Sequence, residues 1–262
     1  MTEAGDPVDA EVSPKPDTAA ALESGRLAVV IPAKDEAERI ATTIRTAFTI
    51  EGVGLVVVVD DGSSDATAER ALAAGAQVAT HERNRGKAAA METGAARVAM
   101  LDDGADQPRA LLFIDADLGQ SAVAAGMLAE PVLAGEADMT IALIPPQATA
   151  GGGSGRVVRL ARRGIKRATG WTATQPLSGT RCLSRPAFDA AVPLAPGWGV
   201  ETGLTIDLIT AGYRVIEVPC ELHHRVTGTD FGAQLHRARQ YRDVWLALLS
   251  RRLRKRSKSR PS

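Results

Sequence analysis

Short apolar runs alternate with segments of helical periodicity over the first half of this chain. The β-branched run at residues 55–59 is typical of a strand covered on both faces. Between residues 36 and 50, apolar residues recur at helical spacing, with Ile40, Ile44, Ala47 and Phe48 on one side. The full pattern predicts strands at 27–31 (closed by Pro32), 55–59, 77–80 and 110–114, and helices at 36–50, 66–74 and from 87 to about 100. This alternation predicts a parallel sheet with right-handed crossovers, in which ligands bind beyond the carboxyl ends of the strands.

Two carboxylates follow the fourth predicted strand directly. Asp115 and Asp117 stand two residues apart, and such a pair can hold a hard divalent cation, Mg²⁺ or Mn²⁺, against the pyrophosphate of a nucleotide-sugar. A pair of exposed turn carboxylates is the alternative, because Asp-x-Asp is common by chance. Asp60 and Asp61 end the second strand in the same way. A carboxylate such as Asp61 at that position is suited to accept a hydrogen bond from a base ring N–H.

Two more charged residues lie beside the predicted strand ends. Glu36 is placed to contact a base or a ribose; alternatively, it is an acid in the first turn of a helix, where the helix dipole favours negative charge. Lys87 follows Gly86 in a turn and is placed to neutralise a phosphate. The alternative for Lys87 is an exposed cation without a ligand.

Four motifs in the first half, in this order, resemble the nucleotide-binding half of a family 2 type glycosyltransferase. They are Val30-Ile31-Pro32-Ala33-Lys34-Asp35-Glu36, Val59-Asp60-Asp61-Gly62-Ser63-Ser64-Asp65, Asn84-x-Gly86-Lys87 and Asp115-Ala116-Asp117. The resemblance implies an α/β fold of the GT-A type, with a Rossmann-like, mainly parallel central sheet and flanking helices. It implies a nucleotide-sugar donor held by Pro32, Ala33, Glu36, Asp60, Asp61, Lys87, Asp115, Ala116 and Asp117. It also implies catalytic roles for Asp117 and Lys87.

The second half is similar to the acceptor half of the glucosyl-3-phosphoglycerate synthases, the family 81 glycosyltransferases. The similarity lies in residues 175–181 and 195–207, and its most specific part is Pro-Gly-x-Gly-Val-Glu at 196–201. The resemblance implies that Glu201 contacts sugar hydroxyls as a catalytic residue. A first-turn or capping acid on the following helix is the alternative.

The metal site implied by the resemblance includes a histidine. His224 matches the third ligand, beside Asp117 and Asp115, and His223 takes its place if the alignment slips by one residue. A surface pair of histidines without a ligand is the alternative.

A basic segment follows a glycine-rich stretch at 148–155, which predicts a mobile loop that closes over a donor. Gly155, Arg156, Val157 and Val158 match the family's phosphoglycerate-binding stretch, although Val158 stands where the family places a hydroxyl residue. Arg156, Arg159 and Arg163 share one face at helical spacing, which suits an anionic acceptor. A solvated basic helix is the alternative.

The charge is uneven along the chain although the net charge is zero. Residues 1–25 hold six acids and one lysine, which predicts a disordered acidic leader. Residues 251–262 hold seven basic residues and no acid, which predicts a basic tail that either docks on an anionic membrane or is simply solvated. Between them we expect one glycosyltransferase domain at 26–250, with a nucleotide-sugar-binding half at 26–118 and an acceptor half at 119–250.

Several features bear on compartment and partners. Cys182 and Cys220 have no metal-ligand spacing, and with no signal peptide they indicate a reducing, cytoplasmic setting. No apolar run approaches the roughly 20 residues that span a bilayer. Aromatic residues make up only 3%, which disfavours nucleic-acid binding. Peripheral contact at the inner face of the membrane through residues 251–262 stays open, as does a homodimer.

The sequence thus predicts a metal-dependent glycosyltransferase. The resemblance implies that it moves a sugar from a nucleotide diphosphate donor such as UDP-glucose to a small anionic acceptor such as 3-phosphoglycerate. Glucose is the favoured sugar. A polyprenyl phosphate acceptor at the membrane is the alternative, and a nucleotidyltransferase or non-catalytic nucleotide-sugar binder is the second. The resemblance favours retention of configuration, with the leaving phosphate assisting. Inversion would need a general base, for which Glu201 is the candidate.

Overall fold

A mixed α/β domain with one central sheet forms the body of the protein. The computed structural model describes residues 25–102, 107–145, 155–223 and 231–258, the last segment by its backbone alone at 231–237 and 254–258. The strands are β1 (Leu27–Ala33), β2 (Val53–Asp60), β3 (Gln77–Thr80), β4 (Ala110–Phe113), β5 (Met139–Leu143), β6 (Arg181–Leu183) and β7 (Val215–Pro219). The α-helices are α1 (Ile40–Ala47), α2 (Thr67–Ala73), α3 (Lys87–Leu101), α4 (Ala129–Leu133), α5 (Gly155–Thr169), α6 (Arg185–Ala191), α7 (Val200–Thr210) and α8 (Phe231–Lys258). Residues Gly119–Leu128 and Gly197–Gly199 form 3₁₀ turns.

The seven strands lie in the order β3-β2-β1-β4-β6-β5-β7. β1 pairs in parallel with β2 and β4, and β2 pairs in parallel with β3, which confirms the predicted parallel sheet. β6 runs antiparallel to both β4 and β5. Because β6 is reversed, the loop that precedes it lies at the same edge as the carboxyl end of β4. The sheet is continuous through the two halves that the sequence suggested.

The sheet buries a separate apolar core on each face, because side chains alternate across a strand. Val56 and Val58 of β2 pack into the core that includes α1 and the 3₁₀ turn Gly119–Leu128. Val57 and Val59 pack into the opposite core, which includes α3 and α7. The β-branched run of β2 is therefore covered on both faces, as predicted.

The predicted elements differ from the observed ones mainly at their ends. β1 continues through Pro32 to Ala33, because the pairing with β2 continues. Pro32 lies opposite Val59, and Ala33 lies opposite Asp60. α1 begins only at Ile40, after a turn in which the Glu36 carbonyl accepts hydrogen bonds from the Arg39 and Ile40 N–H groups. Phe48, expected on the buried side, is 40% exposed because α1 has already ended.

The final helix passes through the start of the predicted basic tail. α8 extends to Lys258, and Arg251 donates a hydrogen bond from Nε to Asp207 Oδ1 at 2.9 Å. The expected division between residues 250 and 251 therefore falls inside a helix rather than at a structural boundary. The expected leader, apart from Gly25, and most of the expected loop at 148–155 lie outside the described residues. Within the part of the chain that is described, no helix is both long and apolar enough to span a bilayer.

Candidate active site

A cleft of about 380 Å³ opens at the carboxyl ends of β1 and β4. Two segments of the second half complete it: the loop before β6 and the first turn of α7. Helices α5 and α8 close the remaining side. The cleft is lined by Pro32, Lys34, Glu36, Lys87, Asp115, Ala116, Asp117, Val157, Leu177, Gly179, Trp198, Glu201, Gln240 and Val244.

A cation lies between two carboxylates at the centre of this cleft. Lys87, the first residue of α3, donates from Nζ to Asp115 Oδ1 at 2.8 Å, and Nζ lies 3.5 Å from Glu201 Oε1. Burial opposes the charge on Lys87, but the two carboxylates outweigh it and raise the pKa of Lys87 above its ordinary value. Lys87 therefore stays charged over the whole physiological pH range. The structure brings together, from three distant segments, three residues that the sequence singled out.

The two aspartates follow β4 after the buried residue Ile114. Asp115 and Asp117 both line the cleft, with Ala116 between them. Carboxylate oxygens are the ligands that Mg²⁺ and Mn²⁺ prefer, so the donor set fits the expected cation. Among the described residues, no group of three or more His, Cys, Asp or Glu side chains is gathered as a complete metal site.

Of the two histidines expected as metal ligands, only His223 lies among the described residues. His223 has an exposed side chain and does not line the cleft, and its backbone N–H donates to Ser121 Oγ at 3.1 Å. His224 lies outside the described residues. A third metal ligand from this segment therefore stays a prediction.

Asp61 is turned into the protein rather than toward the cleft. Its carboxylate accepts hydrogen bonds from the backbone N–H groups of Arg85 (2.7 Å) and Gly86 (2.8 Å), and His81 Nδ1 lies 2.7 Å from Oδ1. Burial raises the pKa of Asp61, but these hydrogen bonds outweigh it and hold the pKa below the ordinary value. Asp61 thus fixes the loop immediately before Lys87. Asp61 does not line the cleft in this structure, and its contact with a nucleotide base stays a prediction.

The remaining residues expected near the donor are divided between the cleft and the core. Pro32 and Glu36 line the cleft, and Glu36 Oε2 accepts a hydrogen bond from Arg39 Nη1 at 3.0 Å. Ala33 is buried, and Asp60 is buried with its Oδ1 accepting the Ser63 N–H at 3.1 Å; neither lines the cleft. Asp60 therefore shapes the turn after β2.

Only one of the four residues expected to bind the acceptor lines the cleft. Val157 does so from the first turn of α5, whereas Gly155, Arg156 and Val158 do not. Arg156, Arg159 and Arg163 are exposed on the outer side of this helix, because its inner side is taken by Val157, Ala161 and Ile165. The basic face therefore lies outside the lining of this cleft, and its contact with an anionic acceptor stays a prediction.

Sequence reasoning missed six of the residues that line the cleft. Four of them belong to motifs in which other residues were singled out, so each whole motif was the signal that could have found them: Lys34, Leu177, Gly179 and Trp198. Gln240 and Val244 reach the cleft from α8, and no sequence signal marks them. Lys34 donates from Nζ to the carbonyl of Gly62 at 2.9 Å, which joins the ends of β1 and β2.

Arg181, also missed, is buried behind the cleft. Its guanidinium donates to the carbonyl oxygens of Ser178 (2.8 Å), Glu201 (3.1 Å) and Pro176 (3.2 Å) and to Thr205 Oγ1 (2.9 Å). Burial lowers the pKa of Arg181 to about 10. A single side chain thus ties the loop before β6 to the first turn of α7, which carries Glu201.

The comparisons with known proteins agree with this architecture. The family described as Glycosyl transferase family 2 matches residues 28–189. A glucosyl-3-phosphoglycerate synthase of Mycolicibacterium paratuberculosis is 31% identical over 203 residues, which are 71% of this chain and 61% of that protein. The chain therefore spans about three fifths of the length of this relative.

Two crystal structures of glucosyl-3-phosphoglycerate synthase from Mycobacterium tuberculosis superpose on most of this chain. The complex with Mn²⁺, uridine-diphosphate-glucose and phosphoglyceric acid has a TM-score of 0.69 at 28% identity, over 90% of this chain and 82% of that one. The complex with Mg²⁺ and uridine-diphosphate has a TM-score of 0.68 at 27% identity, over 92% of this chain and 84% of that one. Fold and cleft together define the class as GT-A, the fold that the motifs implied.

The chain belongs to glycosyl transferase family 2. The match covers most of the sheet, from β1 to β6, together with the residues of the cleft from Pro32 to Gly179.

Proposed function

We propose that this protein transfers a glycosyl group from a nucleotide diphosphate sugar to a small anionic acceptor of the 3-phosphoglycerate kind. Glucose is the first candidate for the sugar. The observation that carries the proposal is the cluster of Asp115, Asp117, Lys87 and Glu201 in one cleft. The relatives bound to uridine-diphosphate-glucose and phosphoglyceric acid support the same assignment.

The cation of this reaction would be Mg²⁺ or Mn²⁺, held by the carboxylates of Asp115 and Asp117. When bound, it would neutralise charge on the departing diphosphate, which is the main demand of glycosyl transfer from such donors. The same two ions accompany nucleotide in the related crystal structures.

The protein's own groups supply fixed charge and orientation. Lys87 places a permanent positive charge beside Asp115, where phosphate oxygens of a donor would lie. Glu201 is 7% exposed, and its carboxylate is placed to accept hydrogen bonds from sugar hydroxyls. Such contacts hold the sugar against the acceptor and exclude water from the reacting centre. We propose retention of configuration; inversion would make Glu201 the general base.

The test is product release from a panel of UDP- and GDP-sugars with Mg²⁺ or Mn²⁺, each offered with 3-phosphoglycerate. We expect release of the nucleoside diphosphate with a phosphorylated glycoside as the second product. Asp117→Asn should abolish turnover, whereas Asp189→Asn, an exposed position on α6, should not. Release of a sugar 1-phosphate, the group that leaves when the nucleotidyl part of the donor is transferred, would instead assign a nucleotidyltransferase, and binding without any release would assign a nucleotide-sugar binder.

A polyprenyl phosphate is the second candidate acceptor. Helix α8 lines the cleft through Gln240 and Val244, while Tyr241 and Trp245 on the same helix are 45% and 47% exposed. The cleft therefore lies next to an exposed apolar surface on which a lipid chain could rest. Turnover with a short polyprenyl phosphate in detergent, and none with 3-phosphoglycerate, would select this acceptor.

A further inference from the structure

Helix α8 has apolar residues on two sides, and only one side is packed. Val244 and Ala247 are buried, Val244 in the small core it shares with Val157 and Ala161 of α5. On the opposite side of α8, no comparable core is formed among the described residues. Tyr241, Trp245, Leu246 and Leu253 on that side are 45%, 47%, 47% and 55% exposed.

These residues form one continuous stripe along the helix. Positions 241, 245, 249 and 253 recur every four residues, and Leu246 lies beside them on the same side. Aromatic residues make up only 3% of the chain, yet two of them stand exposed here. An exposed apolar stripe of this size marks a surface that meets another apolar phase.

Basic residues surround the stripe. Arg239, Arg242 and Arg252 are exposed, and the chain from residue 251 to residue 262 holds seven basic residues and no acid. Asp243, the one acid in the sequence of α8, has a side chain that is 13% exposed; it forms an ion pair with Arg242 at 2.9 Å, and its Oδ2 accepts the Trp198 N–H at 3.3 Å. Arg239 and Arg252 are therefore the described cations of this surface that Asp243 does not neutralise. Aromatic and aliphatic residues framed by cations are typical of helices that lie in a lipid interface.

An apolar groove of about 1270 Å³ continues the stripe toward α5 and α7. Trp245, Leu248 and Leu249 line it from α8, opposite Val192 and Pro193. Arg167 and Arg252 also line this groove, as do Arg251 and Asp207, which form an ion pair with each other. The apolar part of the groove suits the acyl chain of a lipid, and the guanidinium groups beside it suit the lipid's phosphate.

We propose that the outer side of α8 binds the surface of an anionic lipid bilayer. Tyr241, Trp245, Leu246 and Leu253 enter the headgroup region, and Arg252 contacts lipid phosphates. The basic sequence after Arg252 adds positive charge at the same end of the helix. An uncharged apolar partner would leave these cations unmatched, whereas an anionic bilayer matches both the stripe and the charge. The proposal does not depend on which acceptor the cleft takes.

The test is co-sedimentation of the full chain with vesicles, without any substrate. We expect binding to vesicles that contain phosphatidylglycerol, little binding to phosphatidylcholine alone, and weaker binding as salt is raised. The double variant Leu246→Glu/Leu253→Glu should lower the affinity at least about tenfold, because two charges would enter the interface. Leu72→Glu is the matched control: Leu72 is 59% exposed on α2, and its change should leave vesicle binding unaltered.

Circular dichroism and thermal unfolding of each variant would separate lost binding from lost folding. Three results would overturn the proposal. The first is no binding of the folded full chain to anionic vesicles at low salt. The second is binding that Leu246→Glu/Leu253→Glu leaves intact but that removal of residues 254–262 abolishes, since the helix side would then be uninvolved. The third is a dimer in sedimentation that this double variant dissociates, with no vesicle binding, since the stripe would then meet a second copy.

Discussion

Gly179 lies directly against the ammonium group of Lys87. A Cβ at position 179 would overlap Lys87 Nζ and would lie 3.3 Å from both carboxylate oxygens of Asp115. A side chain at position 179 would therefore push the Lys87 ammonium group out of its place beside Asp115. This contact joins the loop before β6 to the start of α3 at the centre of the cleft.

Gly179→Ala should displace Lys87 and lower turnover. A misplacement of about 1 Å in an active site can cost roughly a hundredfold in rate, and we expect an effect of that order on kcat. The measurement is steady-state kinetics with the donor that the product-release panel identifies, on protein shown to be folded by circular dichroism. In a Lys87→Ala background the same change should cost little more, because its effect passes through Lys87. A loss that is equally large in both backgrounds would contradict this relationship.

Arg181→Met should destabilise the protein and also impair the cleft. The change leaves the carbonyl groups of Pro176, Ser178 and Glu201 without their buried donor, and each such loss costs about 1–3 kcal/mol. We expect the free energy of unfolding, measured by urea denaturation, to fall by at least about 2 kcal/mol.

A positioning role for Arg181 predicts a further effect on kinetics. In the folded fraction of Arg181→Met, kcat should fall more than KM rises, because Glu201 and Gly179 lose their common support. Arg97→Met is the control, since Arg97 makes an exposed hydrogen bond to Gln77 Oε1 at 3.1 Å. Loss of stability with normal kcat would assign Arg181 to the core alone.

Asp61→Asn should reduce stability at neutral pH and have less effect in acid. The pKa of Asp61 in the folded protein lies below its ordinary value of 3.8. Its stabilising contribution is therefore complete above that pH and is lost as the pH falls through the folded pKa. We expect the gap in unfolding free energy between wild type and variant to be about 1 kcal/mol at pH 7 and to narrow below pH ~3.8. Denaturation at a series of pH values measures it, and a gap independent of pH would contradict the assignment.

Cys182 and Cys220 should be unreactive in the native protein. Burial raises the pKa of Cys182 far above its usual range and that of Cys220 to about 11. Since the thiolate is the reactive form, both should resist a thiol reagent at pH 8 and react fully in urea. Rapid modification of either thiol under native conditions would show that its surroundings open in solution.

Some features of this site follow from the sequence alone, and others follow only from the tertiary structure. The order of strands and helices as far as β4, the acidic pair after β4 and the lysine at the start of α3 follow from local patterns, and the structure contains them all. Local patterns suffice there because periodicity decides which face of an element is buried and where its ends lie.

The tertiary structure alone decided which charged residues meet. Lys87, Gly179 and Glu201 come from separate segments, and their contact depends on β6 running antiparallel to β4 and on α7 packing beneath it. Asp61 and Arg156 carry charges that the sequence could equally assign to the cleft. Asp61 instead holds the Arg85 and Gly86 N–H groups, and Arg156 is exposed. The sequence determines the identity and the local geometry of such groups. The direction in which each charged side chain points depends on which hydrogen-bond partners lie within its reach once the core has packed.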